Sequence, residues 1–162
     1  MGAVVETVRV PAKRSAGILL FRQVSSGVEV LLGHMGGPFW AKKDAGAWTV
    51  VKGEYEADEE PADAARREFA EELGLPAPEG DYVDLGTVRQ SGGKTVTVWA
   101  VAGDLDPAAV VPGTFEMEWP PRSGKFREFP ELDRVAWFGL AEASDKIVKG
   151  QLAFLERLAE RL

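Results

Sequence analysis

The chain has 162 residues, a formal net charge of −7, and 45% hydrophobic residues. This size and composition are ordinary for a globular protein, so we predict one domain over residues 1–162. Because cysteine is absent, disulfides, thiolate metal sites and a cysteine nucleophile are excluded. The negative charge argues against a duplex nucleic acid partner. No apolar run has membrane-spanning length and the first residues lack a signal-peptide pattern, so we expect no membrane partner and a cytoplasmic location.

The first third of the chain predicts a β-hairpin, a loop and a short strand. Two apolar runs, Ser15–Phe21 and Val28–Leu32, flank the turn-prone Ser25-Ser26-Gly27. A loop opens at Gly36-Gly37-Pro38, and the strand is predicted at Trp48–Val51. The single histidine, His34, ends the second run, and we expect it to make a structural hydrogen bond.

The clearest element is a helix at Pro61–Leu73. Proline suits the first turn of a helix, Gly74 supplies the end, and Pro76 follows it. The apolar stripe predicted to face the core consists of Ala62, Ala65, Phe69 and Leu73.

The second half predicts further strands and one more helix. Tyr82–Arg89 and Thr95–Ala102 alternate like two strands. The proline-rich stretch from Asp104 to Pro130 predicts a loop with at most one short strand, at Thr114–Glu118. A last strand is predicted at Val135–Phe138. The chain then predicts an amphipathic helix over Gln151–Leu162, with its inward side chains at Leu152, Leu155, Leu158 and Leu162. These elements together indicate an α/β domain.

The Pro61–Leu73 helix carries an unusual group of carboxylates. At 100° per residue, Glu68, Glu71 and Glu72 fall within one third of the helix circumference. Like charges at this spacing repel each other by about 0.2–0.5 kcal/mol per pair. They also lie in the C-terminal half of the helix, where its dipole disfavours negative charge. Arg67 offsets part of the repulsion, and hard divalent cations such as Mg²⁺ or Mn²⁺ would offset the rest.

A short motif joins this helix to the residues before it. The spacing G-x5-E-x7-R-E-U-x-E-E-x-G-U, in which U is a large apolar residue, is matched by Gly53, Glu59, Arg67, Glu68, Phe69, Glu71, Glu72, Gly74 and Leu75. The chain therefore resembles the Nudix hydrolase family, whose motif it holds at every specified position. This resemblance implies an α/β/α sandwich built on a mixed β-sheet.

The resemblance also implies a metal site and its chemistry. Metal ligands would be Glu68, Glu71 and Glu72, joined by Glu59 and by a backbone carbonyl near Lys52 and Gly53. The bound Mg²⁺ or Mn²⁺ would bridge diphosphate oxygens and lower the pKa of a water molecule. Arg67 would orient the glutamates, and Gly53 would allow a tight turn out of the preceding strand.

The family often adds an acidic residue from outside this motif. Glu131 lies six residues before Trp137, which is similar to the arrangement in diadenosine tetraphosphate hydrolases, and it is our first candidate for a catalytic residue. The alternatives are Glu116 and Glu118.

Candidate substrate contacts lie on both sides of the motif. Lys52 next to Gly53 is similar to the Lys-Gly pair of diadenosine polyphosphate and diphosphoinositol hydrolases, although Val51 stands where those relatives have proline. Lys42 and Lys43 could bind phosphates, and Trp40 could stack on a base. The alternatives are that the two lysines serve only as surface charges that favour solubility, and that Trp40 packs against the core. Two further cations, Arg89 and Lys94, flank a predicted turn.

These residues favour a hydrolase that acts on a nucleotide-type small molecule. The best candidate is a diadenosine polyphosphate, and the alternatives are a nucleoside triphosphate or a nucleoside diphosphate sugar. An isomerase on the same fold would need an active-site cysteine, which this chain lacks. A catalytically silent nucleotide-binding regulator is disfavoured because all four motif glutamates are present. The oligomeric state stays open.

Overall fold

The computed structural model describes residues 13–162. No helix in this range is long and apolar enough to cross a membrane. In chain order, its strands and helices are β1 (Arg14–Val24), β2 (Gly27–Met35), β3 (Trp48–Thr49), β4 (Val51–Glu54), α1 (Pro61–Leu73), β5 (Val83–Arg89), β6 (Thr95–Ala102), β7 (Thr114–Glu118), β8 (Phe126–Pro130), β9 (Leu132–Gly139), α2 (Leu140–Lys146) and α3 (Leu152–Arg161).

The main sheet is mixed, and helices cover both of its faces. β1 and β6 pair in parallel, whereas the other pairs, including β1 with β4 and β2 with β9, are antiparallel. Successive side chains of β1 point to opposite faces. Ala16, Ile18 and Leu20 pack against α1 on one face of the sheet. Leu19 points to the other face, where it packs in a separate core with α2 and α3. The α/β/α sandwich predicted from the sequence is confirmed.

Helix α1 begins and ends where the sequence predicts. Pro61 occupies its first turn, and Gly74 caps it in the left-handed conformation with φ 67°. One member of the predicted apolar stripe is wrong: Ala62 is exposed, and Ala64 is buried instead. Alanine is small and weakly apolar, so the positions of the larger side chains set the buried face.

The predicted strand at Trp48–Val51 is two short strands that pair with different partners. β3 pairs with β2 and β4 pairs with β1, and the change occurs at Val50. The backbone N–H of Val50 donates a hydrogen bond of 2.9 Å to Oε1 of the buried Gln151, whose amide also contacts Thr49. A side chain from the far end of the chain thus satisfies the backbone where the sheet divides.

Three features of the second half differ from expectation. The stretch 104–130 contains the predicted strand at Thr114–Glu118 as β7, but a second strand, β8, pairs with it in a separate two-stranded sheet. Its prolines concealed the alternation of the strands. Helix α2 was not predicted, because seven residues give too short a periodic pattern. Leu162 is exposed rather than inward, since α3 ends at Arg161.

Replacing Gln151 with leucine should destabilise the fold, because it removes the acceptor for the buried Val50 N–H. The expected loss in free energy of unfolding is about 1–3 kcal/mol, the cost of an unsatisfied buried donor. Chemical denaturation of Gln151→Leu measures it. Lys149→Ala, an exposed change two residues away, is the control and should stay within about 0.5 kcal/mol of wild type. Equal stability of the two variants would contradict this role.

Candidate active site

One cleft of about 560 Å³ collects most of the predicted catalytic residues. α1 provides one wall, β4 provides another, and the base of the β7–β8 hairpin closes the third side. Its charged lining side chains are Lys52, Glu54, Glu68, Glu71, Glu72 and Glu131. The structure therefore brings the three glutamates of α1 together with Lys52 and with Glu131, the first candidate from outside the motif.

Glu68 fits the cleft because residue 53 is glycine. Gly53 lies inside β4, opposite Ala16 of β1. A Cβ atom at Gly53 would lie 1.8 Å from Glu68 Oε2, so no other residue leaves room for the carboxylate. The sequence predicts a tight turn at this glycine. That prediction is wrong, because glycine is required here by the close approach of α1 and β4.

Arg67 holds three of the motif carboxylates at once. Its Nε and Nη2 each donate a 2.8 Å hydrogen bond to Glu59. Its Nη1 donates to Glu68 at 2.9 Å and to Glu71 at 3.1 Å. The orienting role predicted for Arg67 agrees with these contacts. Glu59 does fold back toward the helix, but its carboxylate is engaged by Arg67 and does not line the cleft.

Three carboxylates of the cleft, those of Glu72, Glu68 and Glu131, have raised pKa values. Burial, followed by repulsion from Glu131 and Glu68, raises the pKa of Glu72 to about 8. Burial also raises the pKa of Glu68, although Arg67 opposes this change. The pKa of Glu131 is raised too, first by desolvation and then by the nearby Glu54. The cleft is therefore suited to a cationic ligand.

Lys52 is the cation that enters this cleft. Burial lowers its pKa, and Lys94 lowers it further, while the cleft carboxylates act in the opposite direction. Within residues 13–162, Lys52 forms no ion pair with a carboxylate. Its ammonium group is thus available to an anionic ligand.

Backbone hydrogen bonds fix Glu131 beside the end of α1. Its N–H donates to the carbonyl of Gly113 at 2.9 Å, and its own carbonyl accepts from Gly36 N–H at 2.9 Å. Gly113 N–H in turn donates to the Glu72 carbonyl at 3.3 Å. Gly113 was not predicted as a site residue, because its role depends on a contact across about forty positions of sequence. Glu116 and Glu118, the alternatives to Glu131, lie along β7 and do not line the cleft.

The loop before β3 lies outside the cleft. Lys42 and Lys43 are exposed, and Trp40 packs partly buried against the core on the α3 side. Buried His34 fastens this loop through hydrogen bonds with Asp133 at 2.9 Å and with the Lys43 carbonyl at 2.6 Å. The structural hydrogen bonds predicted for His34 are confirmed. The three loop residues predicted to bind substrate are not among those that line the cleft.

The chemistry of the cleft fits a hard divalent cation. All of its charged acceptors are carboxylates, and oxygen ligands are those that Mg²⁺ and Mn²⁺ prefer. No group of three acidic or histidine side chains within residues 13–162 is already arranged around one point. The contacts of Arg67 with Glu59, Glu68 and Glu71 account for this, because they direct carboxylate oxygens toward the guanidinium.

Comparison with known proteins identifies the family. A family model of the NUDIX domain matches residues 11–158. The chain belongs to the Nudix family. The resemblance drawn from the motif is confirmed, and the chain is a Nudix-type pyrophosphohydrolase. No curated protein sequence matches it.

Solved structures of Nudix proteins have the same fold. A C. elegans Ap4A hydrolase in a binary complex aligns with a TM-score of 0.64 and 19% identity, over 93% of this chain and 97% of that one. The NUDIX domain of Shewanella oneidensis NrtR, complexed with ADP ribose, aligns with a TM-score of 0.64 and 18% identity, over 94% and 90%. RenU, a Nudix hydrolase from M. smegmatis, gives 0.57 and 25% identity, over 91% and 83%.

The raised pKa of Glu72 should make the metal-free protein less stable as the pH rises. This pKa moves from an ordinary value of 4.5 to about 8 on folding, so the folded state keeps a proton that the unfolded state has released between these values. The free energy of unfolding therefore falls between about pH 5 and about pH 8. Unfolding of wild type and Glu72→Gln in EDTA measures the effect. The variant should show a smaller fall, and identical pH profiles would contradict the assignment.

Proposed function

We propose that this protein uses Mg²⁺ or Mn²⁺ to hydrolyse a phosphoanhydride bond in a nucleoside diphosphate linked to a second group. The observation that carries this proposal is the meeting of Glu68, Glu72 and Glu131 with Lys52 in one cleft. Carboxylates and an ammonium group side by side suit a ligand that brings phosphates and metal ions together.

The metal ligands in this proposal are carboxylates of α1 and a backbone carbonyl of the adjoining strand β4. Glu68, Glu71 and Glu72 would hold the ions, with a backbone carbonyl at Lys52 or Gly53. Glu59 could join them only after leaving Arg67, to which it makes two hydrogen bonds. When bound, the divalent ions neutralise phosphate charge and lower the pKa of water.

The other side chains of the cleft position the reactants. Arg67 contacts Glu68 and Glu71, so it would offset part of their mutual repulsion and hold them close to the site until the ions bind. Glu131 is the proposed general base. Its pKa is raised toward neutral pH, which makes a carboxylate a more effective proton acceptor. Its backbone hydrogen bonds hold it opposite α1. Lys52 would contact a phosphate oxygen.

A diadenosine polyphosphate is the proposed substrate. A neighbouring structure is a C. elegans Ap4A hydrolase, and the cation beside the metal ligands suits a ligand with more than two phosphates. Because Trp40, Lys42 and Lys43 lie outside the cleft, they would contact only the end of such a ligand that extends out of it. The second candidate is a nucleoside diphosphate sugar, because the equally similar NrtR domain is complexed with ADP ribose.

Neutralising a helix glutamate should abolish activity without unfolding the protein. In Glu68→Gln and Glu72→Gln, loss of a metal ligand should lower kcat by two or more orders of magnitude, whereas relief of repulsion keeps the fold stable. Asp63→Asn on the same helix is the control, because Asp63 is exposed and does not line the cleft. Rates close to wild type in both glutamine variants, with native circular dichroism, would contradict the proposal.

The same assay identifies the substrate. Specificity constants for a diadenosine polyphosphate, a nucleoside triphosphate, a nucleoside diphosphate sugar and NADH should be highest for the first compound. A higher value for the sugar nucleotide would replace the proposed substrate with the second candidate and leave the hydrolase assignment intact.

A further inference from the structure

The face of the main sheet that lies away from α1 carries three lysines where the cleft opens. Ala16 of β1 packs toward α1, so its neighbour Gly17 points to the other face. Lys52 of β4 pairs with Gly17 and therefore shares this face. On the far side of β1, Gly17 pairs with Val98 of β6, which is buried in the α3-side core.

Lys94 and Lys13 belong to the same face. Val96 is buried in the α3-side core, and Lys94 precedes it by two residues, which is one full period of a strand. The pairing of β1 with β6 begins at Arg14 and Thr95, so the residues just before them, Lys13 and Lys94, lie side by side. The N–H of Thr95 also donates a hydrogen bond of 3.1 Å to the Lys13 carbonyl. Lys13 also contacts Glu54, the partner of Ser15 across the β1–β4 pair.

The three ammonium groups are poorly neutralised. Neither Lys52 nor Lys94 forms an ion pair with another residue of the described range 13–162, and Lys13 has only a 3.7 Å contact with Glu54 in which both side chains are about 60% exposed. Exposed pairs of this kind contribute little. Burial lowers the pKa of Lys52 most, and the nearby Lys94 lowers it further, while Glu54, Glu72 and Glu131 act in the opposite direction. In a protein with a net charge of −7, such a group of cations suits an anionic ligand.

Small side chains form the floor between these lysines. A Cβ atom at Gly17 would lie 2.8 Å from both Lys52 Cβ and the Val51 carbonyl, so glycine is required under Lys52. Ser15, the next residue on this face, lines the cleft together with Lys52. The floor is therefore continuous with the cleft that holds the α1 carboxylates.

We propose that Lys52, Lys94 and Lys13 form a second phosphate-binding subsite on this face of the sheet. It would take the phosphates that extend beyond those held at α1, and it would make the enzyme select substrates with longer polyphosphate chains. The choice of substrate rests on the proposed function, but the subsite itself requires only that this face binds polyphosphate.

Arg89, which the sequence groups with Lys94 as a candidate substrate contact, lies on the other face of the sheet and so provides a matched control. It belongs to the same β5–β6 hairpin and carries the same charge as Lys94. Arg89 pairs with Thr95, so it points to the face opposite Lys94. Thr87 and Thr97, each two residues from Arg89 and Thr95, form the next pair on this opposite face, and their hydroxyl groups are joined by a hydrogen bond of 2.7 Å.

Binding of inorganic tripolyphosphate in EDTA tests the subsite without metal or turnover. Calorimetry should show binding to wild type, about tenfold weaker binding to Lys94→Ala because a charge-assisted contact is lost, and unchanged binding to Arg89→Ala. No binding to wild type, no change in Lys94→Ala, or an equal loss in both variants would overturn the proposal.

A chain-length series then tests the selection. For dinucleoside tri-, tetra- and pentaphosphates, Lys94→Ala should raise KM increasingly with length and leave kcat nearly unchanged. An equal effect on all three lengths would overturn the length selection. If wild type hydrolyses none of them, the proposed substrate is wrong, and the tripolyphosphate measurement still decides the subsite.

Discussion

Repulsion among carboxylates is the constraint on which the rest of this structure depends. Glu68, Glu71 and Glu72 share one side of α1, and Glu131 faces them from the hairpin base. Arg67 neutralises part of this charge by contacting Glu68, Glu71 and Glu59. Burial, together with the repulsion that remains, raises the pKa of Glu72 to about 8, so metal binding would relieve the charge at this site.

The fold keeps these charges together by close backbone packing. Gly53 lets β4 approach α1 so closely that the Glu68 carboxylate lies against its Cα. Gly113 performs a similar role at the end of the helix, where a Cβ atom would lie 2.8 Å from the Glu71 carbonyl. Through Gly113, the position of Glu131 is tied to the same helix. Because two glycines set these contacts, stability and the geometry of the site depend on the same residues.

The sequence predicts the chemistry of the site better than its surroundings. Helix α1, the glutamates and Arg67 were predicted because one periodic segment contains them all. The β7–β8 hairpin, by contrast, is stabilised by contacts distant in sequence, such as Gly36 with Glu131. The division of one predicted strand at Val50 depends on Gln151, about a hundred residues away. The position of Trp40 could not be predicted either, because a loop aromatic has the same local pattern whether it contacts the core or a ligand.

The most direct test of this account is the effect of divalent metal on thermal stability. A ligand that binds only the folded state stabilises it by RT ln(1 + [L]/Kd), so the melting temperature of wild type should climb steadily with millimolar Mg²⁺ or Mn²⁺. Glu72→Gln should show a much smaller rise, because it lacks one ligand and the charge that the metal would relieve. A melting temperature of wild type that does not change with either metal would contradict the account.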